Sequence, residues 1–121
     1  MFVEIGSSAK QWEDSAAGKA VANAIWTAAN SPANGTPAVG FGGGHYSWKH
    51  TDAVIKGQFA FGHILSKYFF DSYDPAIVEL AFRRTTGGCS HAVIDKKGVR
   101  GSERNTLVEF LTKTGREIVM I

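Results

Sequence analysis

Apolar residues recur along the chain at two periods, near two and near four, and each change of period marks an element. Phe2-Val3-Glu4-Ile5 is a short β-branched and aromatic run that predicts a strand. Ser8-Ala9-Lys10-Gln11 follows with the form of a capping box, which predicts a helix start. From Trp12 onward Ala16, Ala20, Ala24 and Ala28 recur at four-residue spacing, flanked by Ala17, Val21 and Ile25. That ridge of small side chains suits a helix seated close on a sheet.

Asn30 to Thr36 has turn chemistry throughout, and Pro37-Ala38-Val39-Gly40-Phe41 then reads as a buried strand running into glycines. Thr51 to Ile55 predicts a short helix. Gln58 to Leu65 predicts a strand that leads to a helical segment around Lys67 and Tyr68. Asp74-Pro75 supplies an N-cap followed by proline at the first helical position; Ile77, Leu80, Ala81 and Arg84 keep helical period, and Gly87 is placed to close that helix. His91 to Asp95 reads as a strand. Leu107, Phe110, Leu111 and Thr114 mark a helix ending at Gly115, and Glu117 to Ile121 is the last predicted strand.

Strands and helices therefore alternate. The pattern predicts one domain over residues 1–121, a three-layer α/β/α arrangement with about five strands in a largely parallel or mixed sheet. Ligands of such sheets sit at the carboxyl ends of the strands, so the loops after Phe41 and Phe61 are the places to search.

Composition leaves this picture standing. With 121 residues, 44% hydrophobic and 20% charged, the chain has the make-up of an ordinary globular protein. Its apolar runs, such as Ile118 to Ile121, fall far short of the ~20 residues of a membrane helix. No basic stretch followed by an apolar run opens the chain, so a cytoplasmic protein without a signal peptide is expected. The one cysteine, Cys89, has no partner for an internal disulfide and is read as a structural thiol. A formal charge of +2 permits a phosphate-bearing partner without requiring one.

The loop Gly42-Gly43-Gly44-His45-Tyr46 carries the strongest local signal. Glycines after a strand can adopt φ > 0 and turn backbone N–H groups toward a ligand. Neither a Walker loop nor a dinucleotide fingerprint fits, because no long helix with an acidic partner follows. His45 is a candidate general base, general acid or metal ligand. Tyr46 offers a hydroxyl or a ring for stacking on a nucleobase, or plugs the loop onto the core. His63, near the end of its strand, is expected beside His45, where the two would share proton transfer or bind zinc, with Glu4 as a third member; the alternative is a core histidine. Lys67, Arg100 and Arg104 are candidate phosphate contacts. His50 and His91 have no such context.

Four segments in order, Phe2 to Ser8, Gly40 to Tyr46, Ala60 to Tyr68 and Lys97 to Gly101, resemble the C-terminal half of the D-aminoacyl-tRNA deacylases of the archaeal and plant type. The resemblance implies hydrolysis of the ester between a D-amino acid and the terminal ribose of tRNA, a zinc requirement, and a fold similar to peptidyl-tRNA hydrolases and nucleoside phosphorylases. It implies His45, His63, Tyr46 and Glu4 as catalytic residues, and Gly42, Gly43, Gly44, Lys49, Lys67 and Arg100 as substrate contacts. The candidate ligands for that zinc are the two histidines at the predicted strand ends, His45 and His63.

Where family members follow His-Tyr with Ala-Pro and a basic residue, Ser47, Trp48 and Lys49 stand here, so only the basic character carries over, onto Lys49. Ser66 takes the place of a proline before Lys67. A His-His-Gly-Pro segment carried by the N-terminal half of full-length members is not among these residues. The expected partners are thus the tRNA 3′ end and either a homo-oligomeric copy or a second chain supplying that half. A module that binds tRNA or a partner without catalysis is the alternative, and a hydrolase of another small ester or amide the third.

Overall fold

Turn chemistry around Ser31 to Gly35 separates two units of the chain, Met1–Ala33 and Asn34–Ile121. The computed structural model describes residues 4–32 and 34–121. In the first unit the single predicted helix is two: α1 (Ala9–Trp12) and α2 (Ser15–Asn30). Gln11 does not close the capping box: its Oε1 accepts from Ser7 N (2.6 Å), one residue before the N-cap, and from Ser8 Oγ (3.1 Å). Ser8 makes no cap bond in return, and α1 ends after one turn. Asp14 then restarts the helix, its Oδ1 accepting from Ala16 N and Ala17 N at 2.8 and 3.3 Å. Of the predicted first strand, Phe2 and Val3 lie outside the described residues, and Glu4 and Ile5 form no strand.

The second unit holds a four-stranded sheet, one strand fewer than expected: β1 (Thr36–Phe41), β2 (Phe59–Leu65), β3 (His91–Ile94) and β4 (Glu117–Met120). All pairs are parallel, in the order β2-β1-β3-β4. Pro37 fits within β1 because pairing to β3 begins only at Ala38, so its missing N–H breaks no ladder on that side. The helices are α3 (Trp48–Ile55), α4 (Pro75–Arg84) and α5 (Gly101–Lys113), with a 3₁₀ helix at Lys67–Ser72. Asp74 caps α4 as its sequence predicts, Oδ1 accepting from Ala76 N at 2.8 Å. That helix stops at Arg84, before Gly87, because Thr85 turns extended.

Alternation along β1 sorts its side chains between two faces. Val39 and Phe41 join Ala92 and Ile94 of β3 in a core closed by Val78, Ala81 and Phe82 of α4 and Leu107 and Leu111 of α5. Gly40 faces α3, where it meets the ring of His50. The chain leaves β1 through α3 to reach β2 on one side, and returns through α4 to β3 on the other. The chain leaving β1 thus turns to the α3 face and that leaving β3 to the face of α4 and α5, the topology at whose strand ends ligands of such sheets sit.

Candidate active site

Past Phe41 the chain continues the parallel ladder beyond the strand ends. Gly42 N donates to Leu65 O at 2.8 Å, and Gly43 O accepts from Lys67 N at 2.9 Å. Gly42 and Gly43 have φ of +91° and +78°, the left-handed region that favours glycine. A Cβ on Gly42 would stand 2.8 Å from Val99 Cγ2, so the loop after β1 lies directly on the turn after β3. Among the described residues, no acceptor within the protein is bonded by the N–H groups of Gly43, Gly44, His45 or Tyr46. They run into the N-terminus of α3, whose first-turn donors are also free of helical partners.

His45 and Tyr46 are both exposed, with ring centroids 4.8 Å apart in edge-to-face contact. They line a hollow of about 470 Å³ together with Gly44, Thr51 of α3, Ile64 and Tyr68. Tyr68 also borders a second groove of about 290 Å³, lined by Lys67, Lys97 and Arg100 and by the acids Asp71 and Glu103. Lys67 lies over the Tyr68 ring, Nζ 5.1 Å from its centroid. The Arg100 guanidinium is exposed, 3.1 Å from Glu103 and 3.7 Å from Asp71. Hollow and cationic groove therefore adjoin at one tyrosine.

His63 is not brought to His45. β2 pairs Phe61 with Ala38 but His63 with Val39, so Gly62 is an extra residue, a bulge in the ladder. The bulge turns both Gly62 and His63 toward the α4 face, where His63 Nδ1 stands 3.4 Å from Thr85 Oγ1 and the Thr85 side chain covers Gly62. Ile64, which lines the His45 hollow, points to the α3 face beside Gly40. The two histidines are on opposite faces of the sheet and do not form a two-histidine metal site. Among the described residues, no group of three His, Cys, Asp or Glu side chains is placed to hold an ion.

Comparison with known proteins is consistent with this architecture. A family model described as D-aminoacyl-tRNA deacylase matches residues 1–119. The chain belongs to the D-aminoacyl-tRNA deacylase family. A D-aminoacyl-tRNA deacylase of Methanosarcina mazei is 36% identical over 98% of this chain and 39% of its own length. One of Pyrobaculum islandicum is 35% identical, again over 98% of this chain and 46% of its own. The chain thus spans about two fifths to one half of the length of these relatives. A crystal structure of a conserved protein of unknown function matches with a TM-score of 0.77 and 27% identity, over 95% of this chain and 40% of that one.

Other residues of this deacylase-family chain stand as follows. Lys49, expected as a substrate contact, has an internal partner: its Nζ lies 3.3 Å from Asp95 Oδ1, which also accepts from Lys97 N at 3.1 Å. Arg104 is likewise engaged, donating to the carbonyls of Lys96 (2.8 Å) and Val99 (3.2 Å), so it straps the turn after β3. Glu4 belongs to the first unit, exposed and outside regular structure. Burial pushes the Cys89 thiol up, against the opposing pull of Thr85 and Arg116, which favours the inert form. No helix of the described residues is long and apolar enough to cross a membrane.

Two residues of structural weight, His50 and Asp95, are not among the candidates read from the sequence. His50 is wholly buried under the loop, with Nε2 3.2 Å from Val93 O. A carbonyl only accepts, so Nε2 carries the proton and the neutral ring leaves Nδ1 unpartnered. Burial is the main cause that lowers its pKa, opposed by the bond to Val93 and by Asp95. The ring fits only because position 40 is glycine, a contact no local pattern reports. Asp95 did carry a signal: Asp-x-x-Gly at a strand end is turn chemistry.

Proposed function

We propose that the hollow beside the glycine loop hydrolyses the ester of D-aminoacyl-tRNA, releasing the amino acid and free tRNA. The observation that carries this reading is His45 on a loop whose N–H groups lack internal acceptors, at the carboxyl ends of β1 and β2. His45 takes a proton from water as the water oxygen bonds to the acyl carbon. Loop N–H groups donate to the oxyanion, a type of contact worth ~3 kcal/mol per donor. Collapse breaks the bond to the ribose oxygen, which leaves with the proton returned by His45. Lys67 and Arg100, one tyrosine away, face the phosphates of the 3′ end. No step is routed through zinc, since His45 and His63 face apart.

The test is single-turnover deacylation of D-aminoacyl-tRNA by the full chain, beside the L-aminoacyl ester. Ester loss above a His45→Ala control supports the reading. Equal rates for wild type and His45→Ala overturn it.

A further inference from the structure

The run His45-Tyr46-Ser47-Trp48 places three aromatic rings within four residues, and one backbone angle decides how they meet. Ser47 has φ +38° and ψ +50°, the only positive φ outside glycine among the described residues. On a helix, positions 46 and 48 would point apart, and along a strand their side chains would be held roughly 7 Å from each other. The left-handed residue between them instead brings the Tyr46 and Trp48 rings to 5.6 Å, stacked at 25°. Ser47 Oγ, donating to Gly44 O at 3.1 Å, pins this conformation. Strain of this kind is retained where a site needs the geometry it produces.

The stack ends at solvent. Trp48 is 73% exposed and Tyr46 68%, so the indole offers its wide apolar surface beyond Tyr46. Tyr46 lines the hollow, and so does Tyr68, which also borders the groove of Lys67, Lys97 and Arg100. Flat aromatic faces beside a groove whose three cations outnumber its two acids, Asp71 and Glu103, suit a single strand with π-faced bases and charged phosphates.

Resting on the tRNA reading above, we infer that Trp48, braced by Tyr46, is a stacking platform for an unpaired base at the 3′ end of the RNA. It binds the strand by a base next to the terminal nucleoside while that nucleoside occupies the hollow.

The experiment titrates the full chain with a short unpaired RNA ending in CCA, and with an abasic strand of equal length and charge. Readouts are tryptophan emission and the anisotropy of the labelled strand. Wild type is expected to show quenching and to prefer the RNA to the abasic strand. Trp48→Ala should weaken RNA binding roughly tenfold or more and erase that preference. Trp48→Phe should keep most affinity yet lose the quench, since Trp12 and Trp26 remain as emitters. Unchanged affinity in Trp48→Ala, quenching that persists in Trp48→Phe, or no RNA binding by wild type overturns the inference. Stacking without ester hydrolysis leaves the platform standing and sinks the hydrolase; hydrolysis with an unaltered KM in Trp48→Ala does the reverse.

Discussion

Gly98 lies directly beneath the backbone nitrogen of Gly43: a Cβ on Gly98 would overlap that nitrogen and come within 2.6 Å of Asp95 Oδ2. Gly98→Ala is therefore expected to cost about 1–3 kcal/mol as the two loops are forced apart, read as a lower Tm, and to reduce deacylation as well. Gly44, in contrast, has open space where its Cβ would go and no positive φ. Gly44→Ala should leave Tm unchanged and lower activity about tenfold by crowding the hollow. Full activity in Gly44→Ala would show that no ligand approaches the loop there.

The Lys49–Asp95 pair ties α3 to the end of β3. Lys49 is 41% exposed and Asp95 13%, so the pair is worth no more than about 1 kcal/mol when Lys49→Met removes one side. Asp95→Ala also frees Lys97 N and should cost more, about 1–3 kcal/mol. A double-mutant cycle by urea denaturation measures the coupling. A coupling of zero would remove the pair from the account of loop stability.

His50 makes stability depend on pH. Its folded pKa lies below the ordinary 6.5, so the folded state binds fewer protons than the unfolded state over the interval between the two values. Its contribution is complete above pH 6.5 and is lost as pH falls through 6.5 toward the lower folded value. Tm is expected to drop over that interval in wild type and to drop less in His50→Gln, which keeps a donor for Val93 O. Parallel Tm profiles in the two proteins would refute the assignment.

The two faces of the sheet separate His45 from His63 in function too. His45→Ala is expected to lower kcat/KM by about 10²-fold or more, the range of general base removal. His63→Ala, which loses only a 3.4 Å contact to Thr85, should stay within about threefold of wild type. Comparable losses in both variants would require the histidines to act together after all.

Most of the frame was legible because its signals are local. Asp74-Pro75 announces α4 through a cap and a ring that need no tertiary partner, and the run into Gly42 announces both β1 and its loop. Signals that depend on distant contacts were not. Strand alternation puts Phe59, Phe61, His63 and Leu65 on one face, and only the pairing with β1 reveals that Gly62 interrupts it. Lys49 and Arg104 look like free cations until Asp95 and two carbonyls are placed beside them. Ser8-x-x-Gln11 has the letters of a capping box, yet Asp14, six residues on, is the cap of the long helix.

The sheet also divides its labour. The large apolar cluster of Phe41, Phe82, Ile94, Leu107 and Leu111 lies entirely toward α4 and α5, while the hollow opens toward α3. Substitutions at residues 44 to 48 can accumulate without eroding the packing that keeps the fold above its stability threshold. The hollow is the part of this molecule most open to natural or laboratory redesign.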